Sequence, residues 1–143
     1  MDVINFYRIR EPYGEFSNFA AFPIEIGGKR WPTTEHYFQA QKFAGLPDEE
    51  EIRNANSPGV AAKMGRDRNR PLRKDWESVK DDVMRTALKA KFSQYPHLKS
   101  LLLGTNDSKL VEHTKNDSYW GDGENGTGKN MLGTLLMELR GKM

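Results

Sequence analysis

The 143-residue chain contains no cysteine, which excludes disulfide scaffolds, thiolate zinc sites and cysteine nucleophiles together and fits a reducing compartment. Histidine is scarce. The three present, His36, His97 and His113, lie far apart and none stands in a paired ligand spacing, so neither a metal nor another cofactor is expected. No apolar run approaches the roughly 18 residues of a membrane span, and the opening MDVINFYRIR lacks a signal-peptide core. An excess of one charge is also missing: 22 basic residues face 20 acidic ones, for a net +2, so the surface as a whole is not an electrostatic nucleic-acid binder. These absences predict a soluble cytoplasmic protein with no membrane association and no obligate protein partner. Its length suits a single domain, residues 1–143, with a core of its own.

Local patterns predict the elements. VINFYRI and FPIEI read as short strands, and Gly27-Gly28 between FPIEI and KRW is a two-residue hairpin signal, giving a small antiparallel sheet. Pro32, Thr33 and Thr34 open a helix over about 34–44; a Gly-Leu-Pro-Asp break follows, then an acidic helix near 48–55. Ser57-Pro58 opens another through about 64. From Trp76, the recurrence of Val79, Val83, Leu88 and Phe92 predicts a longer helix, and YPHLKSLLLGT a shorter one. LVEHT reads as a strand. SYWGDGENGTGKN is a glycine-rich loop leading into a terminal helix with Leu132, Leu135, Leu136 and Leu139 as its buried stripe.

Three stretches carry candidate chemistry. In WPTTEHYFQAQKF, at about 100° per residue, Glu35, Gln39 and Lys42 fall within about 60° of one another, while aromatics occupy many of the other bearings. A helix so aromatic should be largely buried, and an acid, an amide and a base in one line need a reason. In KMGRDRNRPLRK, Lys63, Arg66, Arg68, Arg70, Arg73 and Lys74 face only Asp67. This segment is either a solvated loop or a phosphate clamp of guanidinium forks on a loop held by Gly65 and Pro71, and Arg66 is the leading phosphate ligand. In the glycine-rich loop, Gly123, Gly128 and Lys129 match the spacing of a nucleotide-binding loop, but Asn130 stands where a magnesium-binding Ser or Thr belongs. Glycines before a helix can still offer N–H groups to an anion, and Tyr119 and Trp120 between Asp117 and Asp122 put a stacking surface beside hydrogen-bond acceptors.

Asn5-Phe6-Tyr7, FSNF at 16–19, WPTTEHYFQAQKF, AAKMGRDR at 61–68, RKDWESVK at 73–80 and NDSYWGDGENGTGKNMLG at 116–133, in this order and spacing, resemble the NADAR family, especially its YbiA-like members. The resemblance covers nearly the whole chain. It implies an α+β fold, mainly helical with a small sheet, and an N-glycosidase that cleaves the bond between ribose and base in phosphorylated early intermediates of riboflavin synthesis. It implies equally a glycohydrolase removing ADP-ribose from guanine in nucleic acid. A non-catalytic module binding ADP-ribose or NAD, which would bind without turnover, is the third reading; the first is favoured, and the residues do not separate it from the second, since both substrates offer a ribose, a phosphate and an aromatic base.

Within that frame the polar line acquires roles. Glu35 and Lys42, about 10.5 Å apart along a helix and nearly on one bearing, are too far for an ordinary helical salt bridge. Either Glu35 stabilises an oxocarbenium-like transition state or activates water, or Lys42, desolvated, instead attacks the anomeric carbon to give a ring-opened Schiff base, with Gln39 between them binding substrate. Asp122 is expected to bind ribose hydroxyls or serve as a second carboxylate. Trp76 either stacks on the base or opens a helix in the core, Asn18 is a turn residue or a ligand to the base edge, and His36, off the polar line, is structural.

Overall fold

The computed structural model describes residues 2–143. Contacts group the chain into two compact units: Ala21–Lys91, and the residues up to Ala20 together with Phe92–Met143. Among the described residues no helix is long and apolar enough to cross a membrane.

The contiguous unit begins with a hairpin of strands β2 (Ile24–Ile26) and β3 (Lys29–Trp31), which pair antiparallel with Ile24 opposite Trp31. The turn needs two residues with positive φ, which Gly27 (63°) and Gly28 (77°) supply without a side-chain clash. Three short helices follow: α1 (Thr34–Gln41), α2 (Pro47–Arg53) and α3 (Pro58–Gly65), and then α4 (Trp76–Gln94), whose residues through Lys91 belong to this unit. Each start has a local cause. Thr33 caps α1 by accepting from His36 N–H at 3.1 Å, Ser57 caps α3 by accepting from Val60 N–H at 3.1 Å, and Pro47 and Pro58 pre-set the first turns of α2 and α3. The core is Ile24, Trp31, Tyr37, Ala40, Phe43, Ile52, Ala61 and Ala87, with Trp31 edge-on to Tyr37 at 5.0 Å. Glu35 and Gln39 lie on α1 and Lys42 caps its C-terminal end, and α2 and α3 pack around this helix.

In the other unit, β1 (Val3–Phe6) pairs in parallel with β4 (Lys109–Glu112), residue 3 opposite residue 109. Only the antiparallel half of the sheet structure follows from the hairpin signal; this second, parallel pair was not expected, because its strands are distant in sequence and need a long crossover. Phe16, from a short 3₁₀ turn at Gly14–Phe16, packs between Phe6 and Phe92, with ring centroids 5.6 and 5.9 Å away. Helices α5 (Pro96–Leu103) and α6 (Met131–Lys142) bury Leu98 and Leu102, and Leu132, Leu135 and Leu136, whereas Leu139 is only half-buried. Asn130, in left-handed conformation before α6, donates its amide to Leu110 C=O and accepts from Glu112 N–H, both at 2.9 Å. Here Asn is required to tie the loop to β4, which explains the residue that breaks the nucleotide-loop pattern.

Candidate active site

Every residue of α1 from Thr34 to Ala40 is buried, polar ones included. Glu35 and Gln39 are 7% and 4% exposed, and the Gln39 amide donates to Glu35 Oε2 at 2.7 Å, an i,i+4 bond inside the helix. The other end of that amide, Oε1, is buried without a hydrogen-bond donor. The helix stops earlier than expected. After Gln41 the chain tightens into i→i+3 bonds, Lys42 N–H to Gln39 C=O and Phe43 N–H to Ala40 C=O, so Lys42 is the C-terminal cap and Phe43 lies beyond the α-helix.

The Lys42 ammonium donates to Gly65 C=O at 3.2 Å, at the end of α3, and lies 6.0 Å from the Phe38 ring centroid and 5.8 Å from that of Trp76. This burial lowers its pKa below the ordinary lysine value; the Glu35 carboxylate opposes the shift, and Arg66 reinforces it. Trp76 is buried, 5% exposed and 5.1 Å from Phe38, as a core tryptophan is, and it shields the amine. His36 is the structural residue expected: its ring bonds Thr33 Oγ1 at 2.8 Å and Ala55 C=O at 3.0 Å.

The structure sorts the basic segment. Arg70 is committed to Asp48 and Glu51, at 2.9 and 3.1 Å, and Arg73 to Asp75 at 2.6 Å. Arg66 makes no side-chain hydrogen bond or ion pair with any described residue, and with Lys63, Met64, Asp67 and Arg70 it lines an open depression of about 480 Å³. Gly65 does not hold a loop, as the sequence suggested, but ends α3.

The glycine-rich loop belongs to the other unit. Asp117 Oδ1 accepts from the N–H groups of Tyr119 and Trp120, at 2.9 and 2.8 Å, and so folds the loop on itself. Tyr119 and Trp120 are half-buried and edge-to-face, 4.9 Å apart. Asp122 has both oxygens engaged, Oδ1 by Thr114 N–H at 2.9 Å and Oδ2 by His113 Nδ1 at 2.7 Å. Burial works against its charge, but these two bonds outweigh it and hold the carboxyl below its usual range. The expected anion cradle at the start of α6 is not open, because Met131 and Leu132 N–H donate to the carbonyls of Tyr119 and Trp120 at 2.9 and 3.0 Å. Asn18 is buried at 7% exposure. No group of three or more His, Asp or Glu side chains among the described residues is arranged to hold a metal ion.

Two features escaped the sequence reading: the His113–Asp122 pair, whose members are nine residues apart with no spacing rule to join them, and the close packing of Gly65 on Gln39, which depends on a neighbouring helix.

A family model for the NADAR domain matches residues 5–143. Over 138 residues the chain is 65% identical to N-glycosidase YbiA of Escherichia coli strain K12, covering 96% of this chain and 86% of that protein. It is 44% identical over 157 residues to the chloroplastic riboflavin biosynthesis protein PYRR of Zea mays, covering 99% of this chain and 25% of that protein. The NMR structure of Escherichia coli YbiA matches at a TM-score of 0.91 and 64% identity, covering 99% of this chain and 84% of that one.

Proposed function

The chain belongs to the NADAR domain family and is an N-glycosidase, and from that premise we propose that it hydrolyses the ribose–base bond of a phosphorylated ribosylamino-pyrimidine, an early intermediate of riboflavin synthesis. The observation that carries this reading is the desolvated Lys42 amine at the end of the buried Glu35–Gln39 line. The riboflavin-related name of the maize relative supports the substrate class, and the unpaired Arg66 beside Gly65 supports its phosphate.

The reaction proceeds through a covalent intermediate. Neutral Lys42 attacks the anomeric carbon with its lone pair as the bond to the base breaks, Glu35 stabilising the positive charge that develops there, and the base leaves with the electron pair and takes a proton from solvent. The attacking nitrogen gives a proton to solvent, its lone pair forms a C=N bond as the ring oxygen departs and is protonated by solvent, and water then adds to the imine and releases the open sugar, the neutral amine and a proton. Arg66 holds the phosphate, Gln39 orients the ribose, and Phe38 and Trp76 keep water from the amine. Within the other unit, Asp117 folds the glycine-rich loop that carries Tyr119 and Trp120, and Asp122 ties that loop to Thr114 and His113.

Trapping tests the mechanism. Incubated with substrate and borohydride, the protein gains the mass of the reduced sugar phosphate on the peptide containing Lys42, whereas Lys42→Arg gains none and turns over poorly, since arginine keeps the charge but does not deprotonate. Only the neutral amine attacks, so trapping rises with pH, and the lowered pKa moves that rise below the 10.5 of an ordinary lysine. Turnover under trapping conditions without an adduct leaves attack by Glu35-activated water as the mechanism instead.

A further inference from the structure

Gly65 lies between the two polar side chains that the mechanism uses. Its carbonyl accepts from the Lys42 ammonium at 3.2 Å, and its Cα faces the Gln39 amide so closely that a Cβ would overlap Gln39 Oε1 and come within 2.7 Å of Cδ and 2.9 Å of Cβ. The contact is between the last residue of α3 and the middle of α1, and Gln39 Oε1 has no hydrogen-bond donor to hold it there. What fixes the amide is therefore its bond to Glu35 on one side and the bare Gly65 backbone on the other. No backbone conformation demands glycine at this position, since Gly65 is not among the residues with positive φ. The requirement comes from the space that its neighbour takes.

We propose that Gly65 is a positioning residue for the glycosidase reaction, its carbonyl setting the direction of the Lys42 amine and its missing side chain setting the distance of the Gln39 amide from that amine. One residue thus registers α3 against α1. A methyl group there drives the two helices apart or turns Gln39 away from Glu35, and in either case the Lys42 amine loses its aim at the anomeric carbon. The inference rests on the reading of Lys42 as nucleophile.

Gly65→Ala in the full chain tests it by two measurements. Turnover of the phosphorylated ribosyl substrate should fall about 10-fold to 100-fold with KM changed by less than about threefold, because misplacement by a fraction of an ångström costs rate rather than binding. Labelling of Lys42 by a small amine-reactive acylating reagent, followed by peptide mass spectrometry across pH, should begin at lower pH than in the wild type, because an ammonium without its carbonyl acceptor gives up its proton more readily. A residue that only packs would not make Lys42 less productive with substrate and more reactive with an unpositioned reagent. Unchanged turnover, or an unchanged labelling profile, overturns the proposal. Should Gly65→Ala not fold, Gly65→Ala with Gln39→Ala removes two of the three atoms that the methyl meets. This double variant should fold and turn over about tenfold or more below Gln39→Ala alone; equal rates, or a double variant that also fails to fold, make Gly65 a packing residue only. Failure of the underlying reading looks different: wild-type turnover with borohydride and no adduct on Lys42 removes the nucleophile without altering the labelling comparison.

Discussion

Arg66 and Arg70 are four positions apart in one basic run, and their surroundings give them opposite work. Arg70 is held by Asp48 and Glu51, so its guanidinium is already a ligand of the protein; Arg66 has no such partner. Arg66→Gln should therefore weaken binding of a phosphorylated substrate relative to its dephosphorylated analogue by about 1.5–3 kcal/mol, the scale of a lost charge-assisted contact. Arg70→Gln should lower the unfolding midpoint and leave that phosphate preference intact. Calorimetric titration of both variants with both ligands checks the pair of expectations, and an equal loss for the two ligands in Arg66→Gln would return that residue to the solvated surface. The sequence shows six cations in the run but not which carboxylates reach them, since Asp48 and Glu51 come from helix α2. Glu35, Gln39 and Lys42 were easier to single out, because their shared bearing is a property of one helix.

At the scale of elements, α1 depends on its cap. Thr33 accepts from the His36 backbone and also bonds the His36 ring, which in turn reaches Ala55 C=O, so one hydroxyl anchors the start of the helix and ties it to the segment after α2. Thr33→Ala should cost about 1–2 kcal/mol in urea unfolding, and Thr33→Ser should recover most of it. A loss confined to a few tenths would show that burial alone holds α1 in place. The start of this helix was legible from Pro32 and the two threonines; its end was not. The tightening after Gln41 follows from how Phe43 packs into the core, a tertiary effect with no local signal. The same holds for β1 and β4. Each reads as a strand on its own residues, but period-two patterning carries no information about a partner, so their parallel pairing stays hidden.

For the whole molecule, the scattered histidines and the lack of cysteine predict that turnover survives EDTA; a loss restored by zinc or magnesium would overturn the metal-free mechanism. Its near-neutral charge adds a second expectation. Between about 50 and 200 mM salt, KM for a small phosphorylated substrate should change less than about tenfold, whereas a nucleic acid held through many phosphates would weaken about a thousandfold or more. A steep slope would favour ADP-ribosylated nucleic acid as the substrate. The pairing of residue 3 with residue 109 also bears on the order in which the chain can fold as it is made. β1 leaves the ribosome long before β4 and lacks that partner until most of the intervening chain has followed, while Ala21–Lys91, which carries Glu35, Gln39, Lys42 and Arg66, is contiguous and complete well before β4 is synthesised. A nascent chain halted before Lys109 thus already contains the proposed nucleophile and its phosphate ligand, but leaves β1 with an unpaired edge, and it is that edge which a chaperone acting during translation would have to cover.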